Sequence, residues 1–321
     1  MHKKILKQKK AKNIRKRKLN RNKRYNSKLK IIGMNAAGLP SKIKSLDHLL
    51  DILKPHIWTI QESKLKPNQK IKLEDENCFD LYYLNRKESL GGGLIVGVHK
   101  DLESVLVREG DDETEAMVIH VEIEGMTLKV VNAYGPQKNA TKERKEKFWE
   151  FLEEEYIKAE LENLGFIIQM DGNMHGGSKV IKDDPNPQNY NGKLLEEFLT
   201  RNNGLIVANN LDICEGKITR QRILKNKTER AILDLFIINE KMKPFLTKVT
   251  IDEDRKFCLG NFAQVKKNGR VIETDHNTLI ADFSISISKC KQERVEMFNL
   301  RNKTCQQLFK KETDENLSLI D

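Results

Sequence analysis

No apolar run in this chain approaches the ~20 residues needed to cross a bilayer, and the N-terminus lacks the apolar core of a secretory signal. A membrane role is therefore set aside, and a soluble, intracellular protein is expected. Cysteine is scarce: Cys78, Cys214, Cys258, Cys290 and Cys305 are an odd number, widely spread, with no Cys-x-x-Cys pair and no His/Cys cluster of zinc spacing. A disulfide framework and a structural zinc site are excluded, and reduced thiols are expected. No Gly-x-Ser-x-Gly offers a serine nucleophile, and no cysteine has a local basic partner that marks it as a nucleophile. Gly91–Gly93 lead into a strand rather than a helix, so they form no phosphate-cradling loop. There is no convincing internal repeat.

Acidic residues are absent from the first 30 positions, which carry 15 Lys/Arg. Of the 58 basic residues, the rest of the chain keeps 43 against 47 acidic ones, so the whole net charge of +11 resides in the tail. Such a block repels itself and builds no core, so residues 1–29 are expected to be disordered until they meet an anion. A nucleic-acid arm, including one for RNA, or a nuclear import signal around Ile14–Arg24 fits this composition, as does a merely solubilising tail. A nuclear location is the expectation.

Five stretches hang a polar residue off an apolar run: IIGMN (31–35), WTIQE (58–62), VVNAY (130–134), FIIQMDGN (166–173), and LDLFII (233–238) together with ETDHN (273–277). Buried strands need apolar runs, so these polar residues are expected to gather at strand ends on one rim. Between them the pattern predicts a helix from Ile43 to Leu53 ended by Lys54-Pro55, and short hairpin strands from Leu81 to Tyr134. It also predicts a helix capped by Thr141, a helix over Gly192–Thr200, and strands at Leu205–Ala208, Ile232–Ile238 and Thr278–Ile285. A β-sandwich flanked by helices fits this order. Beyond it, residues 287–321 form a polar segment with a helix expected at Arg301–Lys311. Trp58 and Trp149 sit in apolar segments and are expected to pack in the core.

Glu62, Asp275 and Asn35, near Asp171, are an all-oxygen set of hard ligands suited to Mg²⁺ or Mn²⁺ rather than zinc. Such a site points to a phosphate ester. Asp171 is the candidate to take a proton from water and Asn173 to orient it. His276 is the candidate to contact a phosphoryl oxygen, with Asp234 behind it, while Tyr134 and Asn35 supply neutral donors. His175, Arg220 and Arg222 could touch nucleic acid, although exposed loop residues would look the same.

In chain order, NAAGL (35–39), QES (61–63), NAYGP (132–136), MDGN (170–173), LDLF (233–236) and TDHN (274–277) resemble the motifs of the endonuclease/exonuclease/phosphatase (DNase I-like) superfamily, over roughly residues 30–286. The resemblance is nearest to the endonuclease domains of non-LTR (LINE-type) retrotransposons. It implies a four-layered α/β-sandwich: two packed, mostly antiparallel sheets flanked by helices. It also implies a Mg²⁺-dependent, monomeric endonuclease that nicks one strand of duplex DNA to leave 3′-hydroxyl ends that prime reverse transcription. Residues 287–321 would then lead toward a reverse transcriptase. A repair endonuclease acting at abasic sites, a phosphatase on small phosphoesters and a catalytically dead nucleic-acid-binding remnant are the rival readings.

Three departures from the family pattern carry expectations. Ala37 removes a possible metal-shell group. Ala231 stands where a Ser commonly precedes the supporting Asp, so one hydrogen bond is expected to be missing. Met170 and Gly172 replace Gly and Phe, so a looser strand end at Asp171 is expected.

Overall fold

The computed structural model describes residues 28–74, 78–87, 91–223, 227–265 and 271–287, and the side chains of 261–265, 271 and 272 are not among them. The basic tail up to residue 27 and the expected helix at Arg301–Lys311 lie outside the described residues.

Apolar side chains alternate between two faces along nearly every central strand, as a strand buried on both sides requires. In strand β1 (Lys28–Asn35), Ile31 faces one core and Ile32 another. In β8 (Gly165–Asp171), Ile167 and Ile168 divide the same way. Three apolar layers result. The central one joins Ile31, Val96 and Phe283 of one sheet to Ile119, Val130 and Phe236 of the other. The two outer layers seat helices on the sheets' outer faces. Helix–sheet–sheet–helix stacking is the expected four-layered sandwich.

The first sheet contains β1, β2 (Ile57–Gln61), β3 (Phe79–Leu84) and β4 (Leu94–His99), with β10 (Cys214–Glu215), β14 (Leu246–Ile251) and β17 (Leu279–Ser286). Its order is β10-β14-β17-β1-β2-β4-β3. The second contains β5 (Glu103–Glu109), β6 (Ala116–Ile123), β7 (Met126–Tyr134), β8, β9 (Leu205–Val207) and β13 (Asp234–Asn239), in the order β5-β6-β7-β8-β13-β9. Among the described residues, parallel pairing is confined to β1 with β2, β10 with β14, and β7 with β8. All other pairs are antiparallel.

Helix α1 (Ile43–Leu53) buries Leu46, Leu49, Leu50 and Leu53 on the first sheet and ends at Lys54, whose left-handed backbone returns its N–H to Leu50 O. On the second sheet lie α2 (Lys142–Leu161) and α3 (Tyr190–Arg201), capped by Thr141 and Asn189. Trp58 and Trp149 are core residues, as expected.

Several boundaries differ from the sequence reading. β1 begins at Lys28, so the folded domain takes two residues from the expected tail. β13 begins at Asp234 rather than Ile232, because Leu233 N and Asp234 N both turn to the Thr219 hydroxyl. β14 was not expected, and the polar stretch ICEGKITRQR takes in β10 and the first three residues of β11 (Arg220–Ile223), the latter hairpinned to β12 (Thr228–Ala231). Their charged composition hides the extended backbone.

Candidate active site

Parallel pairing explains why the polar residues converge. β1 and β2 run together in one sheet, and β7 and β8 in the other, so Asn35, Glu62, Tyr134 and Asp171 all arrive at C-terminal ends on one rim. β13 opposes β8 with Asp234 paired to Asp171, so its first residue reaches the same rim. His276 comes from the approach to β17.

After β1 the chain keeps riding along the first sheet. Ala36 N donates to Gln61 O (2.9 Å) and Gly38 N to Glu62 O (2.8 Å). Asn35 closes this turn by accepting Ala37 N at 2.8 Å, which puts Ala37 in the left-handed region (φ 45°). Lys42, buried under the turn, donates to Ala36 O and Ala37 O. The Asn35 amide is thereby aimed at Asp171, with Nδ2 2.7 Å from Oδ2.

Asp171 is fully buried, and its other oxygen accepts Asn173 N at 3.0 Å. The expected looseness at this strand end is not observed. Gly135 N donates to Asp171 O (2.7 Å) and Gly172 N to Leu233 O (2.8 Å), so both sides of the backbone are held. Glycine is required at 135, where a Cβ would come within 2.4 Å of Gly172 O. Asn173 ties its amide to Gly135 O at 2.9 Å.

The TDHN segment is divided residue by residue. Thr274 donates to Asn35 O (2.8 Å) and so fastens the segment to β1. Asp275 accepts from Arg220. His276 points inward, with Nδ1 2.8 Å from Asp234 Oδ2 and Nε2 3.9 Å from Asp171 Oδ2. Asn277 donates to Ile218 O (2.7 Å). Ala231 leaves no gap behind Asp234, because the hydroxyl of Thr219 accepts Leu233 N (2.8 Å) and Asp234 N (3.0 Å). Sequence reasoning missed Thr219 because a threonine in a polar stretch carries no signal of its own.

Electrostatics separate the roles of these groups. Burial, reinforced by Asp234, pushes the Asp171 carboxyl up to about 7. Burial works against a charged His276, but the carboxylates of Asp234 and Asp171 outweigh it and raise the imidazole to about 9. Burial and the nearby carboxylates hold Tyr134 well above the usual phenol range, so it stays a neutral donor, 2.6 Å from Glu62 Oε1. Burial also pushes Glu62 upward, but hydrogen bonds from Lys64 and Tyr134 prevail and keep it below the usual carboxylate range.

Asp171, Asp234 and His276 each place one ligand atom within 4.8 Å of the others. A protonated imidazole cannot ligate, so this group suits a proton relay better than a cation. The hard-cation position is better matched by Glu62. Its carboxylate is ionised, and Lys64 Nζ lies 2.7 Å from Oε2. Lys64 is half-exposed, so this ion pair is released at small cost. Asn35 and Glu62 thus fit Mg²⁺ or Mn²⁺ as oxygen donors. Asp275 belongs to the same rim, but its Oδ2 is taken by Arg220.

The fold recurs in solved structures. The endonuclease domain of TRAS1, a telomere-specific non-LTR retrotransposon, superposes with a TM-score of 0.56 at 15% identity, covering 80% of this chain and 99% of that one. An AP endonuclease from Archaeoglobus fulgidus gives 0.58 at 18% identity, covering 80% and 100%. The 3′-5′ exonuclease NExo from Neisseria meningitidis gives 0.57 at 18% identity, covering 79% and 99%. This chain has the fold of these proteins, a DNase I-like α/β sandwich. No protein-family model and no curated protein matches the sequence. In this DNase I-like fold the rim formed by β1, β2, β7, β8 and β13 is the place where the six sequence motifs meet.

Proposed function

We propose that this protein is a divalent-metal-dependent endonuclease that nicks one strand of duplex DNA, and that it serves a retrotransposon by providing 3′-hydroxyl ends for reverse transcription. The observation that carries the reading is the buried array Asn35–Asp171–His276–Asp234 beside an ionised Glu62. Glu62 and Asn35 would hold Mg²⁺ or Mn²⁺, with Asp275 at the edge of the site. When bound, the metal neutralises phosphate charge and supports the departing oxygen.

The chain's own residues do the rest. Asp171 takes a proton from water, whose oxygen attacks phosphorus as the P–O3′ bond breaks. Asn173, anchored at Gly135, orients that water through its side-chain oxygen. His276 donates to a non-bridging phosphoryl oxygen, and Asp234 keeps the ring charged and correctly turned. Tyr134 and Asn35 add neutral donors.

Similarity to the TRAS1 domain and the order of the motifs favour the retrotransposon role, and the basic tail favours action in the nucleus on DNA, with RNA as a further partner of the tail. The protein would act as a monomer. The deciding experiment converts supercoiled plasmid to open circle with Mg²⁺, beside EDTA and Asp171→Ala controls. Metal-dependent nicking lost in the variant is expected. Cleavage confined to abasic duplex would instead establish a repair enzyme. Salt-sensitive binding without any cleavage would establish a remnant.

A further inference from the structure

Arg220, at the start of β11, makes an isolated antiparallel bridge to His276. The bridge is flanked by Gln221 N to Asp275 O (2.8 Å) and Asn277 N to Thr219 O (2.7 Å). This is the closely spaced, non-hydrogen-bonded kind of pair, in which facing side chains share one side of the ladder. The guanidinium of Arg220 is therefore the cross-strand neighbour of the imidazole that faces Asp171.

Its aim is set by Asp275. Arg220 Nε and one Nη both lie 2.8 Å from Asp275 Oδ2. The other oxygen of Asp275 is 4.0 Å from His276 Nε2, which is in turn 3.9 Å from Asp171 Oδ2. Two cationic side chains, Arg220 and His276, thus border the Asp275 carboxylate, and Arg220 remains 29% exposed. A guanidinium offers five N–H donors in a fixed fork suited to phosphate, and Asp275 engages two of them.

We propose that Arg220 is a catalytic residue that donates hydrogen bonds to a non-bridging oxygen of the phosphate being cleaved, with Asp275 as the positioning residue that holds the fork in line. The proposal rests on the nuclease reading of the site. As water attacks, negative charge grows on the non-bridging oxygens. A donor already aimed by a carboxylate stabilises that charge without reorganising. Asp275 then acts through Arg220, and the metal is left to Glu62 and Asn35.

Two measurements on the full chain test this. In EDTA, the affinity for a short duplex is followed across KCl concentrations, where Arg220→Gln should lower the slope of log K against log salt by ~0.9, one phosphate contact. In Mg²⁺, single-turnover nicking by Arg220→Gln should fall about 100-fold, with the Mg²⁺ half-saturation unchanged and partial recovery in Arg220→Lys. Asp275→Asn should slow nicking while keeping the wild-type salt slope.

An unchanged slope in Arg220→Gln overturns the contact. A reduced slope with full nicking places Arg220 on a flanking phosphate and overturns the catalytic role. Normal nicking by Arg220 variants together with a raised Mg²⁺ requirement in Asp275→Asn makes Asp275 a metal ligand and also overturns it. A wild-type protein that nicks nothing sinks the nuclease reading, while the slope in EDTA still decides the contact. If Arg220→Gln unfolds because Asp275 is left unpaired, Arg220→Gln/Asp275→Asn removes both charges and is read the same way.

Discussion

At the scale of single residues, the site works by holding its buried base and acid away from their ordinary protonation behaviour. His276 is raised to about 9, above its ordinary value of 6.5, so the free energy of its pairing with Asp234 is complete below about 6.5 and lost as pH climbs through 9. Asp171, raised from 3.8 to about 7, adds a loss of the same sign at lower pH. The metal-free protein should therefore become less stable from pH 6.5 to 9.5 in chemical denaturation with EDTA. Asp234→Asn should flatten that limb, and a pH-independent stability in the wild type would refute the pairing. Ala37 gives a second residue-level prediction. Its left-handed backbone favours Asn over Ala, so Ala37→Asn should raise the melting temperature by about 2 °C, corresponding to under ~1 kcal/mol.

At the scale of elements, the two sheets are joined near the site by a buried polar cluster. Gln61 of β2 donates to Asn132 of β7 and to Gln169 of β8, each at 2.6 Å, and Thr59 donates to the same Gln169 oxygen. Each amide lies one or two residues before a site residue, so the cluster couples the spacing of Glu62, Tyr134 and Asp171. Gln169 fits only because residue 33 is glycine, where a Cβ would come within 1.9 Å of the amide carbon. Gly33→Ala should cost several kcal/mol in urea unfolding, and adding Gln169→Ala should recover part of it. Strict additivity would show that the two positions do not share this space. Gln169→Leu should cost about 1–3 kcal/mol by removing the buried acceptor shared by Thr59 and one N–H of Gln61.

At the scale of the whole molecule, the charge is divided between a nearly neutral folded domain and a basic tail. The tail should add affinity for any nucleic acid without entering the chemistry. Deleting residues 1–27 should weaken duplex binding and reduce its salt dependence, while the single-turnover nicking rate at saturating DNA stays unchanged. A fall in that saturated rate would mean that the tail reaches the active rim.

The sequence by itself determined the layers, because the apolar runs of β1, β7, β8 and β13 require burial on both faces of their sheets and the helical spacing of Leu46, Leu49, Leu50 and Leu53 requires burial on one face. It also determined the site residues on apolar strands, since Asn35, Glu62, Tyr134, Asp171 and Asp234 each border a run that must be buried. Only the tertiary structure decided what those residues touch. Thr219, Lys42, Lys64 and Arg220 lie in polar segments whose composition says nothing about direction; Thr219 and Arg220 reach the rim through long-range contacts with Asp234 and Asp275, and Lys42 and Lys64 through local turns beside Ala36 and Glu62. The division follows from physics: burial is written in local periodicity, whereas hydrogen-bond partners far apart in sequence are chosen by the packing of the two sheets.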